Sequence, residues 1–469
     1  MKPTSLTHQA APASGGAHVQ PRHASARSTL VAALLGFFVI TLDAVVVNVA
    51  LPTIGHDFQA GVTGLQWVVD GYTLLFAALL LSAGALTDRI GARRAFGLGL
   101  VVFIIASGAC GLAPTLGLLV VARVLQGAGA AVMMPSSMAL IRQAYPEPTS
   151  RAHAVAIWAM GGAVAASSGP VLGGLLTLLS WRWIFLINLP VGVVTLVILK
   201  RVQVSPTRDV PFDLLGQVTA ILTMGALTYG AIEAGAIGLS AVPVLAVFSV
   251  AALALLTFVM SQRRAAHPMV PPNVLKSLNA RIAMAIGFTF MVGYFGLPFV
   301  MSLYLQQHRG LSAFATGAAF LPMMLTGLVL TPFSARLAAR WSPRVVIVAG
   351  LLSMSLGLFA LSALPASTAV WQLCVLMMLV GLAGPLVAPP VTAVLLASVP
   401  ASLAGTAAGV FNTSRQVGGA LAVAVFGALL AQSSTFMTGM RTSLMLAGGI
   451  AIATALAGLR LQTSRGLRR

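Results

Sequence analysis

Four charged side chains, Asp43, Asp70, Arg123 and Arg415, lie deep inside apolar stretches of this chain, and these are the residues with which chemistry could be done. Asp43 sits in the run Ser28–Pro52, STLVAALLGFFVITLDAVVVNVALP. That run is long enough to cross a bilayer, because roughly 20 apolar residues in a helix span a hydrocarbon core of about 30 Å. A carboxylate placed there costs about 2.5 kcal/mol or more. Helix packing does not require it, so it marks an ion or substrate pathway; the alternative is a neutral acid hydrogen-bonded to a neighbouring helix. Asp43 stands eight residues before Leu51, where its segment ends, and Arg123 eight residues after Thr115, where another begins. Both then lie about 12 Å below the same surface. Opposite charges at equal depth keep each other in place, since an unpaired buried charge costs several kcal/mol. One shared proton-coupling site is predicted, in which approach or withdrawal of the guanidinium releases or takes up a proton.

Asp70, in LQWVVDGYTLL, lies about two turns below the end of its segment. It either meets a cationic substrate or a proton in a substrate cavity, or is an interfacial acid reached by water. Arg415, about 16 Å into its segment, is the only deep charge of the second half, and is expected to face the cavity or to pair internally. Segment 281–306 is rich in aromatic residues, and Tyr294 and Phe295 are placed at the cavity. Aromatic and Met surfaces there would suit lipophilic cations, the alternative being plain packing or lipid contact.

Composition says what must hold these groups. Of 469 residues, 58% are hydrophobic and 7% charged, with a mean hydropathy of +0.97, against roughly 25% charged in a soluble protein. The chain is an all-α integral membrane protein. Its net charge of +19 does not imply nucleic acid, because the arginines are scattered between apolar segments rather than gathered on one surface. Fourteen apolar segments can be counted between residues 29 and 461. The reading divides into a disordered cytoplasmic arm (1–28), a six-helix bundle (29–200), an inserted helix pair with its linkers (201–280), a second six-helix bundle (281–461) and a basic tail (462–469). Of the 27 Lys and Arg, all but five fall on one side: Arg182, Arg309 and Arg441 lie on the other, and Arg123 and Arg415 lie inside segments. Positive residues stay cytoplasmic, so both termini are expected inside.

The chain also repeats itself. TDRIGARR (Thr87–Arg94) aligns with AARWSPRV (Ala338–Val345) at an offset of 251, and GAGAAVMMP (Gly127–Pro135) with GLAGPLVAP (Gly381–Pro389) at 254. A duplicated six-helix unit with one small indel accounts for both offsets, and parallel repeats of this kind bind substrate between the halves.

Further motifs have physical readings of their own. In GALTDRIGARR, Gly84 and Gly91 allow close helix packing, Asp88 can cap a helix or pair with an arginine, and Arg89 and Arg93 meet an anionic leaflet. The turn is either a gating latch or an ordinary positive-inside turn. Gly127, Gly169, Gly173 and Gly174 offer surfaces on which helices approach and slide, and Pro170 adds a kink. That combination suits a pivot or simple small-residue packing. Trp181 and Trp183 are expected in an interfacial belt.

Together, LDAVVVNVALP (Leu42–Pro52), GALTDRIGARR (Gly84–Arg94), RVLQGAGAA (Arg123–Ala131), GPVLGG (Gly169–Gly174) and WRWIFLINLP (Trp181–Pro190) resemble the drug:proton antiporters of the major facilitator superfamily, in the fourteen-helix branch. The fifth-helix pattern departs at Ala165, where a Gly is usual. The resemblance implies the major facilitator fold and a proton-coupled, multi-pass efflux transporter of the bacterial inner membrane. It would be a monomer taking a small-molecule drug or antibiotic, with room for a periplasmic adaptor.

No lysine follows a glycine in a phosphate-binding loop, and no HExxH, GxSxG or Cys/His cluster is present, so neither an enzyme, a metal site nor a cofactor is expected. The rival functions are a dedicated exporter of one metabolite and, from a different class, a passive channel.

Overall fold

The computed structural model describes residues 23–207, 211–400 and 403–462. The expected arm up to residue 22 and the basic tail from 463 lie outside these residues. Fourteen helices follow one another: α1 (His23–Phe58), α2 (Val62–Ile90), α3 (Ala92–Gly111), α4 (Leu116–Ala144), α5 (Pro148–Leu179), α6 (Trp183–Leu199) and α7 (Leu214–Ile237). They continue with α8 (Val242–Arg264), α9 (Leu278–His308), α10 (Ala313–Trp341), α11 (Pro343–Ala363), α12 (Val370–Ala397), α13 (Ala404–Gln432) and α14 (Phe436–Gly458). Thirteen are long and apolar enough to cross a membrane, and α6 is shorter. It breaks between Leu186 and Asn188 because Pro190 has no N–H to give the Leu186 carbonyl. α1 starts at His23, inside the expected arm, and runs through Pro52 to Phe58. Proline at that place forfeits one bond, to the Asn48 carbonyl, which membrane helices tolerate.

The repeat is visible in the packing. α1 lies on α5, α2 on α4 and α3 on α6; in the second bundle α9 lies on α13, α10 on α12 and α11 on α14. The aligned turns agree even in backbone conformation: Gly91, between α2 and α3, has φ +86°, and Ser342, between α10 and α11, has φ +81°.

Two seams join the bundles, α2 against α13 and α5 against α10. The second rests on close backbone approach, whereas at the first Gly427 makes room for the Gln66 side chain. A Cβ on Gly174 would fall 2.6 Å from the Ala313 carbonyl oxygen and from Phe314 Cα, and one on Gly317 would meet the Pro170 carbonyl. α7 lies along the first seam, where Gln217 Nε2 donates to the Ala78 carbonyl at 3.0 Å and Gln432 reaches the Ala234 carbonyl. α8 is peripheral, packed on α7 with 17% of its apolar window buried.

Hydrogen bonds between the bundles gather at the end of the molecule away from the termini, here called the distal end. Gln66 Nε2 donates to the carbonyls of Ala424 (2.6 Å) and Val423 (3.1 Å), and Gln306 Nε2 to that of Val49 (2.8 Å). One apolar cluster runs across both bundles there, through Val46, Ile54 and Leu65 to Phe299, Leu305 and Phe320, whereas Tyr72, Phe76, Phe96 and Phe103 form a separate cluster within the first bundle. The distal end is therefore the sealed one. Trp183 is exposed there as a belt residue should be, but Trp181 is 2% exposed, its Nε1 donating to Asp57 at 2.8 Å.

Candidate functional site

At the centre of the first bundle, two helices bring opposite charges together. Asp43 on α1 is fully buried and Arg123 on α4 is 1% exposed, and the two form an ion pair through Arg123 Nη1 and Asp43 Oδ2. The pair is embedded in side chains that the charge pattern did not point to. Asp43 Oδ1 accepts from Gln126 Nε2 at 2.8 Å and from Asn188 Nδ2 at 3.0 Å. Arg123 Nη1 also donates to Gln126 Oε1 (2.8 Å) and its Nε to the Val68 carbonyl (3.0 Å). Ser107 on α3 accepts from both amides, at 3.1 and 3.0 Å, and donates to the Phe185 carbonyl at 2.8 Å. The guanidinium is flanked by Tyr72 and Phe185, its carbon 4.4 and 5.6 Å from the ring centroids.

Local sequence explains how these groups converge. Gln126 is three residues after Arg123 and so shares its face of α4. Asn188 sits at the break in α6, and Ser107 breaks the apolar run of α3. Each is a polar residue flanked by apolar neighbours inside a helix, which was the available signal. Gly127 lets α4 close on α2, where an added Cβ would strike the Tyr72 carbonyl. Both oxygens of the carboxylate accept hydrogen bonds, Oδ2 from Arg123 and Oδ1 from the two amides.

The other expected residues do not converge on this network. Asp70 is fully buried on α2, one turn after Gln66, on the face that meets α13. The Thr73 hydroxyl donates to its Oδ1 at 3.3 Å, and Oδ2 has no partner. Burial removes it from an open cavity, and it is not a water-reached interfacial acid. In the second bundle, Tyr294 is half-buried with its hydroxyl 3.7 Å from Met324 Sδ and its ring centroid 4.9 Å from that of Phe290. Phe295 stands over Gly419, and Arg415 lies between Phe290 and Phe411.

The 84–94 turn departs from expectation at two points. Gly84 faces open space, so it makes no close helix contact, and Asp88 is exposed with neither a cap nor an ion pair among the described residues. The helix-capping position is taken by Gly91, whose left-handed backbone turns the chain instead. Arg89 is exposed, and Arg93 ties the turn to the end of α6 through the Lys200 carbonyl at 3.2 Å. On α5, Gly173 and Gly169 lie on Val46 and Val45 of α1, and Gly174 on α10.

A family model, the Major Facilitator Superfamily, matches residues 33–423 of the chain. The chain belongs to the major facilitator superfamily. Among its relatives, the Methylenomycin A resistance protein of Bacillus subtilis (strain 168) is 33% identical over 446 residues, covering 94% of this chain and 95% of that protein. The Multidrug resistance protein Stp of Mycobacterium tuberculosis (strain CDC 1551 / Oshkosh) is 37% identical over 409 residues, 86% of this chain and 75% of its own. The Tetracenomycin C resistance and export protein of Streptomyces glaucescens is 33% identical over 410 residues, 86% of this chain and 76% of its own. The crystal structure of the nucleoside transporter NupG superposes with a TM-score of 0.64, at 10% identity, covering 93% of this chain and 100% of that one. That likeness concerns the fold alone. Membership of this superfamily points to transport rather than catalysis.

Proposed function

We propose that this superfamily member exports drugs or antibiotics across a bacterial inner membrane in exchange for protons, with Asp43 as the proton carrier and Arg123 as its switch. The observation that carries this is the buried Asp43–Arg123 pair, completed by Gln126 and Asn188 from α4 and α6. In the sealed-distal conformation the carboxylate is held by its donors. Movement of α4 along its glycine face draws Arg123 away, and Asp43 then takes a proton in place of the lost countercharge. Charge exchange at Asp43 thus accompanies opening and closing of the two seams. The surplus of Lys and Arg at the termini end supports a cytoplasmic location for that end, so the sealed end faces the periplasm. The names of the relatives support antibiotics as cargo.

The test is transport in proteoliposomes of the purified protein, with a panel of cationic, neutral and anionic antibiotics and an imposed pH gradient. At least one compound should move only with the gradient, and Asp43→Asn should reduce that movement by about a hundredfold or more, the scale of losing an essential proton carrier. Wild-type rates and an unchanged response to the gradient in Asp43→Asn would remove Asp43 from the role. Several relatives are named for single compounds, which favours a dedicated exporter as the second reading. Susceptibility of a deletion strain to many unrelated drugs would reject it.

A further inference from the structure

Among the described residues Arg415 is a cation without an ion pair. The chain has 8 Asp and Glu, and the last in sequence is Glu233, so the whole second bundle contains no acid. Four of the described acids of the first half are engaged elsewhere. Asp43 belongs to Arg123, Asp57 pairs with Arg182 at 3.0 Å at the distal end, Glu147 caps α5 and Asp213 caps α7. Asp70, on the neighbouring α2, takes only the Thr73 hydroxyl among the described residues. Arg415 itself reaches Asn412 Oδ1 at 3.4 Å and Met291 Sδ at 3.8 Å, and its Nε is buried with no acceptor. The rings of Phe290 and Phe411 stand 5.8 and 5.9 Å from the guanidinium carbon.

A thioether, one long amide contact and two ring faces are weak recompense for a buried guanidinium, which keeps its charge throughout the physiological range. The group is not sealed in: Arg415, Asn412 and Tyr294 are all half-buried near the middle of the second bundle. Its planar fork is shaped to take two oxygens of one anion. The aromatic faces around it point the same way. Rings that would otherwise attract a lipophilic cation already hold the protein's own positive charge, and a second cation would be repelled.

We propose that Arg415 receives the carboxylate, or a similar planar anion, of an amphiphilic organic acid whose apolar body lies on Phe290, Tyr294 and Met291. The inference rests on the exporter reading and narrows its cargo to organic anions. A pocket for lipophilic cations was the sequence expectation; the guanidinium among these rings favours an anion instead.

The test uses full-length protein in nanodiscs and three probes with one ring system: 4-(1-pyrenyl)butyrate, its methyl ester, and the corresponding trimethylammonium compound. Binding is read by fluorescence anisotropy against empty nanodiscs. The butyrate should bind about tenfold more tightly than the trimethylammonium probe, as expected for one charge-assisted bidentate contact. Arg415→Gln should lose that preference while leaving the ester within about twofold, and Arg415→Lys should keep part of it. Equal binding of anion and cation by the wild type, no binding of any probe, or butyrate binding by Arg415→Gln as tight as wild type would each overturn the proposal. Should both variants fail to fold, the wild-type ranking of the three probes still decides. No pH gradient enters this assay. Selective anion binding without proton-driven movement would therefore sink the exporter reading alone, and cation export indifferent to Arg415 would sink this inference alone.

Discussion

The two bundles share one architecture and treat charge in opposite ways. With the repeat offset of 251 for the earlier part of the unit and 254 for the later part, the positions of Asp43 and Arg123 correspond to Tyr294 and Met377 in the second bundle, neither of them charged. The first bundle has a buried ion pair whose carboxylate also accepts from two amides. The second has uncharged side chains at those places and, on a different helix, an Arg415 with no ion pair among the described residues. One duplicated scaffold thus separates two tasks: a site complete in itself suits an internal switch, and a site lacking its counter-ion suits a ligand.

The sharpest way to break this comparison is to make the first bundle like the second. Arg123→Ala should abolish transport and lower stability by about 3–5 kcal/mol, because it strands a buried carboxylate. Asp43→Leu combined with Arg123→Met, two apolar residues of similar size, should recover most of that stability, since well-packed apolar side chains replace a buried pair at little cost. Transport should stay absent. Thermal unfolding of the two variants beside a proteoliposome assay separates the roles, and a transporting double variant would show that the pair is structural.

Next in size is the seam itself. Gly174→Val places methyl groups into the Ala313 backbone, and overpacking of this kind costs about 1–3 kcal/mol. The sealed-distal population should fall by about tenfold. Labelling of Gln306→Cys by a membrane-impermeant maleimide should rise accordingly in the Gly174→Val background, and unchanged labelling would show that the seam yields without opening.

The aligned turns give a pair of opposite signs. Ser342 adopts a backbone region suited to glycine, so Ser342→Gly should stabilise by about 1 kcal/mol, whereas Gly91→Ala should destabilise by at least as much. Its new Cβ would lie 2.9 Å from the Ser205 carbonyl oxygen. Unfolding temperatures that move in the same direction would break the equivalence of the turns. Asp88→Asn should lower transport only modestly and leave substrate binding unaltered, because its carboxylate is exposed and unpartnered.

The smallest effect is expected at Glu147, outside the membrane. Its carboxylate accepts the Thr149 and Ser150 N–H groups at the start of α5, which holds its pKa down to about 2 from 4.5. A depressed folded-state pKa contributes stability that is full above pH 4.5 and lost as pH falls through about 2. Glu147→Gln should therefore unfold slightly earlier than wild type at pH 7, with the gap closing in acid. A gap that is constant with pH would mean the cap acts without its charge.

Sequence alone determined the membrane class, the helix count, the duplication and the meeting of Asp43 with Arg123. These follow from quantities that are local and additive: apolar run lengths, charge sidedness, offsets between similar strings and depth along a helix. It also marked Arg415 as deep and lone. Tertiary structure decided what surrounds each charge. Gln126, Asn188 and Ser107 come from three different helices, and only packing shows that the two amides converge on one carboxylate while the hydroxyl accepts from both amides. Packing likewise turned Asp70 into an interface, left Gly84 facing open space, buried Trp181 and placed no acid beside Arg415. A sequence gives each charge its depth, but the azimuth of one helix against another, set by which small residues let backbones touch, decides whether that charge finds a partner.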